Sequence, residues 1–92
     1  MAKRRNRIEI IRDILEVIRS KNGKAKPTFI LYKSNLSHQM MELYLGEMIE
    51  KKFIMENRED ESKRTFAITP KGLTFLEKYS TINAFMESFG LE

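Results

Sequence analysis

The sequence predicts a mainly α domain with one small β-hairpin, in the order helix, helix, helix, hairpin, helix. Three observations predict it. Apolar residues return at spacings of three and four along residues 8–18 and again along 41–49, the period of helices that bury one face. The polar break Ser34-Asn35-Leu36-Ser37 separates two helical stretches closely enough to make a helix-turn-helix. Two short β-prone runs, Phe53–Asn57 and Lys63–Ile68, flank the charged segment Arg58-Glu59-Asp60-Glu61-Ser62, which has no apolar residue.

The 92 residues make one domain with a single modest core. Cysteine is absent, which excludes disulfides and thiolate metal sites and fits the reducing cytoplasm. The apolar runs are short, Phe29 to Tyr32 among the longest, so no membrane partner is expected. Met1-Ala2-Lys3-Arg4-Arg5 is basic, but Arg7, Glu9, Arg12 and Asp13 interrupt the isoleucines behind it, which argues against a signal peptide. The net charge is +4, unevenly spread: residues 1–26 hold nine Lys/Arg against three Asp/Glu, a net of +6. Such an excess favours polyanions, nucleic acid first; a solubilising surface is the other reading of the same charge.

Met1–Arg7 is a basic arm. Asn6 is placed to cap the first helix, with Glu9 three residues on as in a capping box. Ile8, Ile11, Ile14, Leu15 and Ile18 form its buried stripe, widened by Ile10 and Val17. Ser20-Lys21-Asn22-Gly23 ends it, with Asn22 or Gly23 in a left-handed cap. Lys24-Ala25-Lys26 reads as a short extended piece, because Lys26 precedes Pro27. Thr28 is expected to cap the second helix, whose Phe29-Ile30-Leu31-Tyr32 run is apolar all round and so belongs inside the core.

Leu36 plugs the turn and Ser37 caps the third helix, which runs from His38 to about Lys52. Met41, Tyr44, Leu45, Met48 and Ile49 are its buried stripe, with Met40 at the edge. His38, Gln39, Glu42, Leu43, Gly46 and Glu47 face outward. Thr69-Pro70 is a helix start, a capping residue followed by Pro at the first helical position. The last helix carries Leu73, Leu76, Tyr79, Ile82, Phe85, Met86 and Phe89 before Gly90 stops it. This element order is that of a winged helix. It divides the chain into a basic arm (1–7), a winged helix-turn-helix domain (6–72) and a C-terminal helix (70–92).

The sequence also resembles a family, the small archaeal winged-helix DNA-binding proteins of the chromatin-associated 10a type. The resemblance rests on Arg7-Ile8-Glu9-Ile10-Ile11 with Ile14-Leu15-Glu16, on Asn35-Leu36-Ser37, on Tyr44-Leu45, and on Ile68-Thr69-Pro70-Lys71-Gly72 with Phe75-Leu76. It covers most of residues 1–80. It implies a nucleoid-associated homodimer in which the last helices pair as an antiparallel coiled coil and present two heads to duplex DNA. This sequence departs from the pattern in two ways. Its last helix ends near Phe89 and is shorter, and its third helix carries Glu42, Glu47 and Glu50 with no Lys or Arg before Lys51.

The candidate DNA contacts are Lys3, Arg4, Arg5 and Arg7 on the arm, Lys24 and Lys26 ahead of the second helix, and Lys63 and Arg64 on the hairpin. Ser37, His38 and Gln39 open the third helix; Gln39 has the amide that pairs with adenine and His38 reaches phosphate or a base edge. Leu76, Tyr79, Ile82, Phe85, Met86 and Phe89 are the candidate dimer interface, since so much exposed apolar surface is rare on monomers. Ser37 and His38 are adjacent and point about 100° apart on a helix, a poor catalytic dyad. Glu59-Asp60-Glu61 lacks calcium-loop spacing. No metal, cofactor, small-molecule substrate or enzymatic activity is expected. The alternative to DNA binding is a protein-docking winged helix that uses the third helix and the hairpin.

Overall fold

The computed structural model describes residues 5–60 and 62–91. Its elements are α1 (Arg7–Arg19), α2 (Pro27–Ser34), α3 (His38–Glu50), β1 (Ile54–Arg58), β2 (Arg64–Ile68) and α4 (Pro70–Ser88). This is the expected winged helix order. Among the described residues, no helix is long and apolar enough to cross a membrane.

Local chemistry sets most boundaries. Asn6 accepts from the Glu9 backbone N–H while the Glu9 carboxylate accepts from the Asn6 N–H, so the capping box closes. Asn22 and Gly23 both take positive φ after α1. Ser37 Oγ accepts from the Met40 N–H at 3.1 Å, and Thr69 Oγ1 from the Gly72 N–H at 3.1 Å, with Pro70 at the first position of α4. Asn35 sits left-handed at φ 55 and turns the chain from α2 toward α3.

Two expectations for the helices are corrected. Thr28 does not cap α2: Lys26 holds the cap position with no side-chain bond, because Pro27 with its fixed φ takes the first helical position. Nor is α2 buried all round. Only Ile30 and Ser34 are buried, and Tyr32 is 80 % exposed. An eight-residue helix on the flank of a small domain has one face to bury, whatever its composition. Ile8 is likewise exposed rather than part of the α1 stripe, because it lies at the open first turn of the helix.

The hairpin is antiparallel, with Ile54 opposite Ile68, Glu56 opposite Phe66 and Arg58 opposite Arg64. Asp60 closes its turn by accepting from the Ser62 N–H and hydroxyl, both at 2.8 Å. Ala25 adds a one-residue third strand: its carbonyl accepts from the Phe66 N–H at 2.8 Å. Phe66 is fully buried and carries the hairpin into a core of Ile14, Leu15, Ile18, Ile30, Met41, Leu45, Met48 and Ile54. Such anchoring matters, because an isolated two-stranded hairpin is marginal in water. The core continues along α4 to Leu76, past the expected domain boundary at residue 72.

Beyond Tyr79, α4 projects from the domain, and the molecule measures 48 × 32 × 21 Å. Its root is tightly packed. A Cβ on Gly72 would lie 2.7 Å from Ile68 Cγ1 and against the Phe53 carbonyl, which Thr69 already holds through its N–H and its hydroxyl. Gly46 on α3 has open space around the same position. Gly72→Ala should therefore destabilise by about 1–3 kcal/mol through overpacking. Gly46→Ala should stabilise by about 0.5–1 kcal/mol through helix propensity. Urea melts of the two variants, analysed with a shared m-value, check the opposite signs.

Candidate nucleic-acid interface

The outer surface of α3 is built from its spacing. Gln39, Leu43 and Gly46 fall on one stripe, all exposed, with Glu50 at its far end. His38 is exposed beside Gln39 at the N-terminal end, where Ser37 spends its hydroxyl as the cap. An acid stands on each side of the stripe, and each is tied to an arginine from a neighbouring element. Glu47 accepts from Arg7 of α1 and lies 3.3 Å from Lys51 Nζ. Glu42 accepts from Arg64 of β2, with Nη1 at 3.0 Å and Nη2 at 3.4 Å.

Arg64 reaches further. Its Nε donates to Glu56 of β1 at 2.7 Å, and its guanidinium lies 5.2 Å from the Phe66 ring centroid. Its side chain is 20 % exposed. The hydrogen bonds to Glu42 and Glu56 push the Arg64 pKa further up, so it stays charged at any working pH. In return the Arg64 hydrogen bond, opposed by partial burial and assisted by Arg58, holds the Glu56 carboxyl below its usual range.

Arg64 also lines a groove of about 450 Å³ between the start of α2 and the hairpin, together with Lys26, Thr28, Glu59 and Lys63. The structure thus brings Lys26 and Lys63 together, and connects them through Arg64 and Glu42 to His38, whose Nε2 lies 3.7 Å from Glu42. Lys24 is exposed near them in sequence. Lys3 and Arg4 lie outside the described residues.

Arg5 is not a free arm residue. Its Nη1 donates to Asp13 at 2.8 Å and its Nη2 to the Ser34 carbonyl at 2.7 Å, so it fastens α1 to the C-terminal end of α2. Those carbonyls lack partners inside the helix and need a donor. Arg7 and Arg64 are committed in the same way, so three cations read as phosphate contacts first serve the fold. Glu56 was missed by the sequence reading; its position opposite Phe66 puts it on the same sheet face as Arg64, diagonally across the strands, which only the register reveals.

Along α4, Leu76 is 5 % exposed and packed in the core, so it is not free for a partner. Tyr79 is half-buried, stacked on Phe75 with Arg12 over its ring. Ile82, Phe85 and Phe89 are exposed. Ile8, Phe75, Tyr79, Ile82 and Met86 line an apolar hollow of about 470 Å³ between α1 and α4. Exposed Ile8 finds its place here, at a position the α1 stripe assigned to the core.

Residues 4–87 match the sequence pattern of the winged helix-turn-helix family. The chain belongs to the winged helix-turn-helix family. Solved structures agree on the fold. Sso10a-2, a DNA-binding protein from Sulfolobus solfataricus, superposes with a TM-score of 0.74 at 20 % identity, covering 94 % of this chain and 90 % of that one. AF1382 from Archaeoglobus fulgidus gives 0.71 at 17 % identity, covering 89 % and 91 %. The chain of the S. aureus MepR–DNA complex gives 0.70 at 15 % identity, covering 88 % of this chain and 68 % of that one. At these identities the likeness is one of fold. No curated protein sequence gives a significant match.

In this winged helix the wing is coupled to α3 by ionised groups, which makes the coupling sensitive to acid. The folded pKa of Glu56 lies below its unfolded value, so its ionised form adds stability above the unfolded value and loses it as pH falls through the folded one. Thermal melts between about pH 7 and pH 3 should show a steeper acid loss for the native chain than for Arg64→Met, which removes the partner that lowers the pKa.

Proposed function

We propose that this winged helix binds duplex DNA as a homodimer, with the N-terminal half of α3 in the major groove. It acts as a transcription regulator or a chromosome-associated protein. One observation carries the reading: from Gln39 to Gly46, α3 presents an uncharged exposed stripe while Arg64 and Arg7 engage Glu42 and Glu47 on either side of it. The two acids that flank the leading half of α3 are thereby neutralised in place. Gln39 and His38 meet base edges at the leading end of the helix. Lys26 and Lys63, with Lys24, supply phosphate contacts from the neighbouring groove, and Lys3 and Arg4 add to them from the arm. Sso10a-2 is a DNA-binding protein and MepR is seen in complex with DNA, which supports the same use of the same fold.

The dimer reading rests on α4. Ile82, Phe85 and Phe89 are exposed beyond the domain, next to the apolar hollow shared with α1. A second α4 covers them, in the antiparallel manner that the family resemblance implies. Each large side chain so buried contributes on the order of 1.5–3 kcal/mol before association costs.

A titration of random-sequence duplex at several salt concentrations tests the DNA reading. Affinity should fall with salt at a log–log slope of about −0.9 per phosphate neutralised. Lys26→Ala and Lys63→Ala should each weaken binding on all sequences and make that slope shallower by about one unit. Absence of binding to any duplex at low salt removes the proposal. Light scattering tests the dimer: the native chain should be dimeric at micromolar concentration, and Ile82→Asp combined with Phe85→Asp should give a folded monomer. A native chain already monomeric there rules the dimer out.

A further inference from the structure

Between His38 and Glu50, α3 has no Lys or Arg. The commonest contact to guanine, a cation on O6 and N7, is therefore missing from it. Cytosine N4 is met by a carboxylate, and the acid nearest the leading end, Glu42, is held by two Arg64 nitrogens. The stripe offers something else. Gln39 carries an amide that pairs with adenine N6 and N7. Leu43, one turn on, is 63 % exposed, and Met40 beside it is partly exposed. Gly46 continues the stripe with empty space around its Cβ position, where any other residue except proline would make a better helix. A bare backbone at that point lets the helix approach a surface closely.

We infer that α3 reads A·T base pairs through the thymine C5-methyl group, with Leu43 as the methyl contact and Gln39 as the adenine contact. The inference rests on the DNA-binding reading above and names the base pairs that reading leaves open. The thymine methyl is the apolar feature that sets A·T apart in the major groove. Covering it with Leu43 removes both from water, worth on the order of four-fold in affinity per methyl. The spacing fits: side chains four apart on a helix face are about 5–6 Å apart, between one and two base-pair rises of about 3.4 Å. Gln39 and Leu43 then address bases one or two steps apart, and Gly46 passes the groove without a side chain to hold the helix off.

The test uses the full chain and a duplex of A·T pairs, against the same duplex with every thymine replaced by deoxyuridine. The replacement deletes the C5-methyl and keeps the base pairing. By fluorescence anisotropy the native chain should bind the thymine duplex several-fold more tightly. Leu43→Ala, at an exposed position outside the core, should keep its circular dichroism spectrum and bind the thymine and uracil duplexes with the same affinity. A G·C duplex carrying 5-methylcytosine, which places a methyl at the same position, should bind the native chain more tightly than its unmethylated form. Equal affinity for thymine and uracil duplexes overturns the inference while leaving DNA binding intact, as does a preference that survives in Leu43→Ala. No binding to any duplex overturns the DNA-binding reading, and this one with it.

Discussion

The arrangement of the reading surface depends on Arg64. Its guanidinium lies between a carboxylate on α3 and one on β1, above the ring of buried Phe66. Arginine suits the position because its planar fork can meet two carboxylates at once and its weakly hydrated face can rest on a ring. The geometry needs the strand register, which sets Phe66 opposite Glu56 and so places Arg64 on the face it shares with Glu56, from where it reaches Glu42 on α3. Wing and helix are thus coupled through one side chain that never leaves the charged state. The coupling constrains the wing in a way that its own two strands do not.

What the sequence made legible was local. Asn6 with Glu9, Ser37, and Thr69 with Pro70 are caps whose partners lie within three residues, and each forms as expected. The extended piece at Ala25 and the left-handed residues after α1 follow from the same short-range chemistry. Side-chain pairing over long separations was not legible. Arg5 meets Ser34 across 29 residues, and Arg64 meets Glu42 across 22, with no periodicity to announce either. Burial also departed from composition where an element ran short or reached an edge. Tyr32 and Ile8 are apolar residues on surfaces that the domain has no further layer to cover.

The same long-range pairs change the meaning of the charge. The basic excess of residues 1–26 suggested a surface rich in free cations. Arg5 is absorbed by Asp13 and the end of α2, Arg7 by Glu47, and Arg19 by Glu16. Lys21 lies 4.1 Å over the Phe29 ring. Much of the positive charge therefore steadies the scaffold, and the lysines around the α2–hairpin groove are what the proposed phosphate contacts are left to draw on. A lysine suits that role, because it contacts a phosphate as a mobile point charge and does not demand a fixed fork geometry.

A helix that reads bases without a cation of its own has little non-specific grip. Its position in a groove must come from neighbours that hold phosphates and from a second head that doubles the contacts. The proposed DNA complex assigns separate tasks to separate elements. In it the wing and the start of α2 would supply attraction, α3 discrimination by shape and apolar contact, and the exposed part of α4 the partner. It also explains why acids can be kept on α3. Glu42 and Glu47, each paired with an arginine from a flanking element, orient the helix relative to its neighbours, and the face left between them, from Gln39 through Leu43 to Gly46, is the uncharged surface that the proposed methyl contact requires.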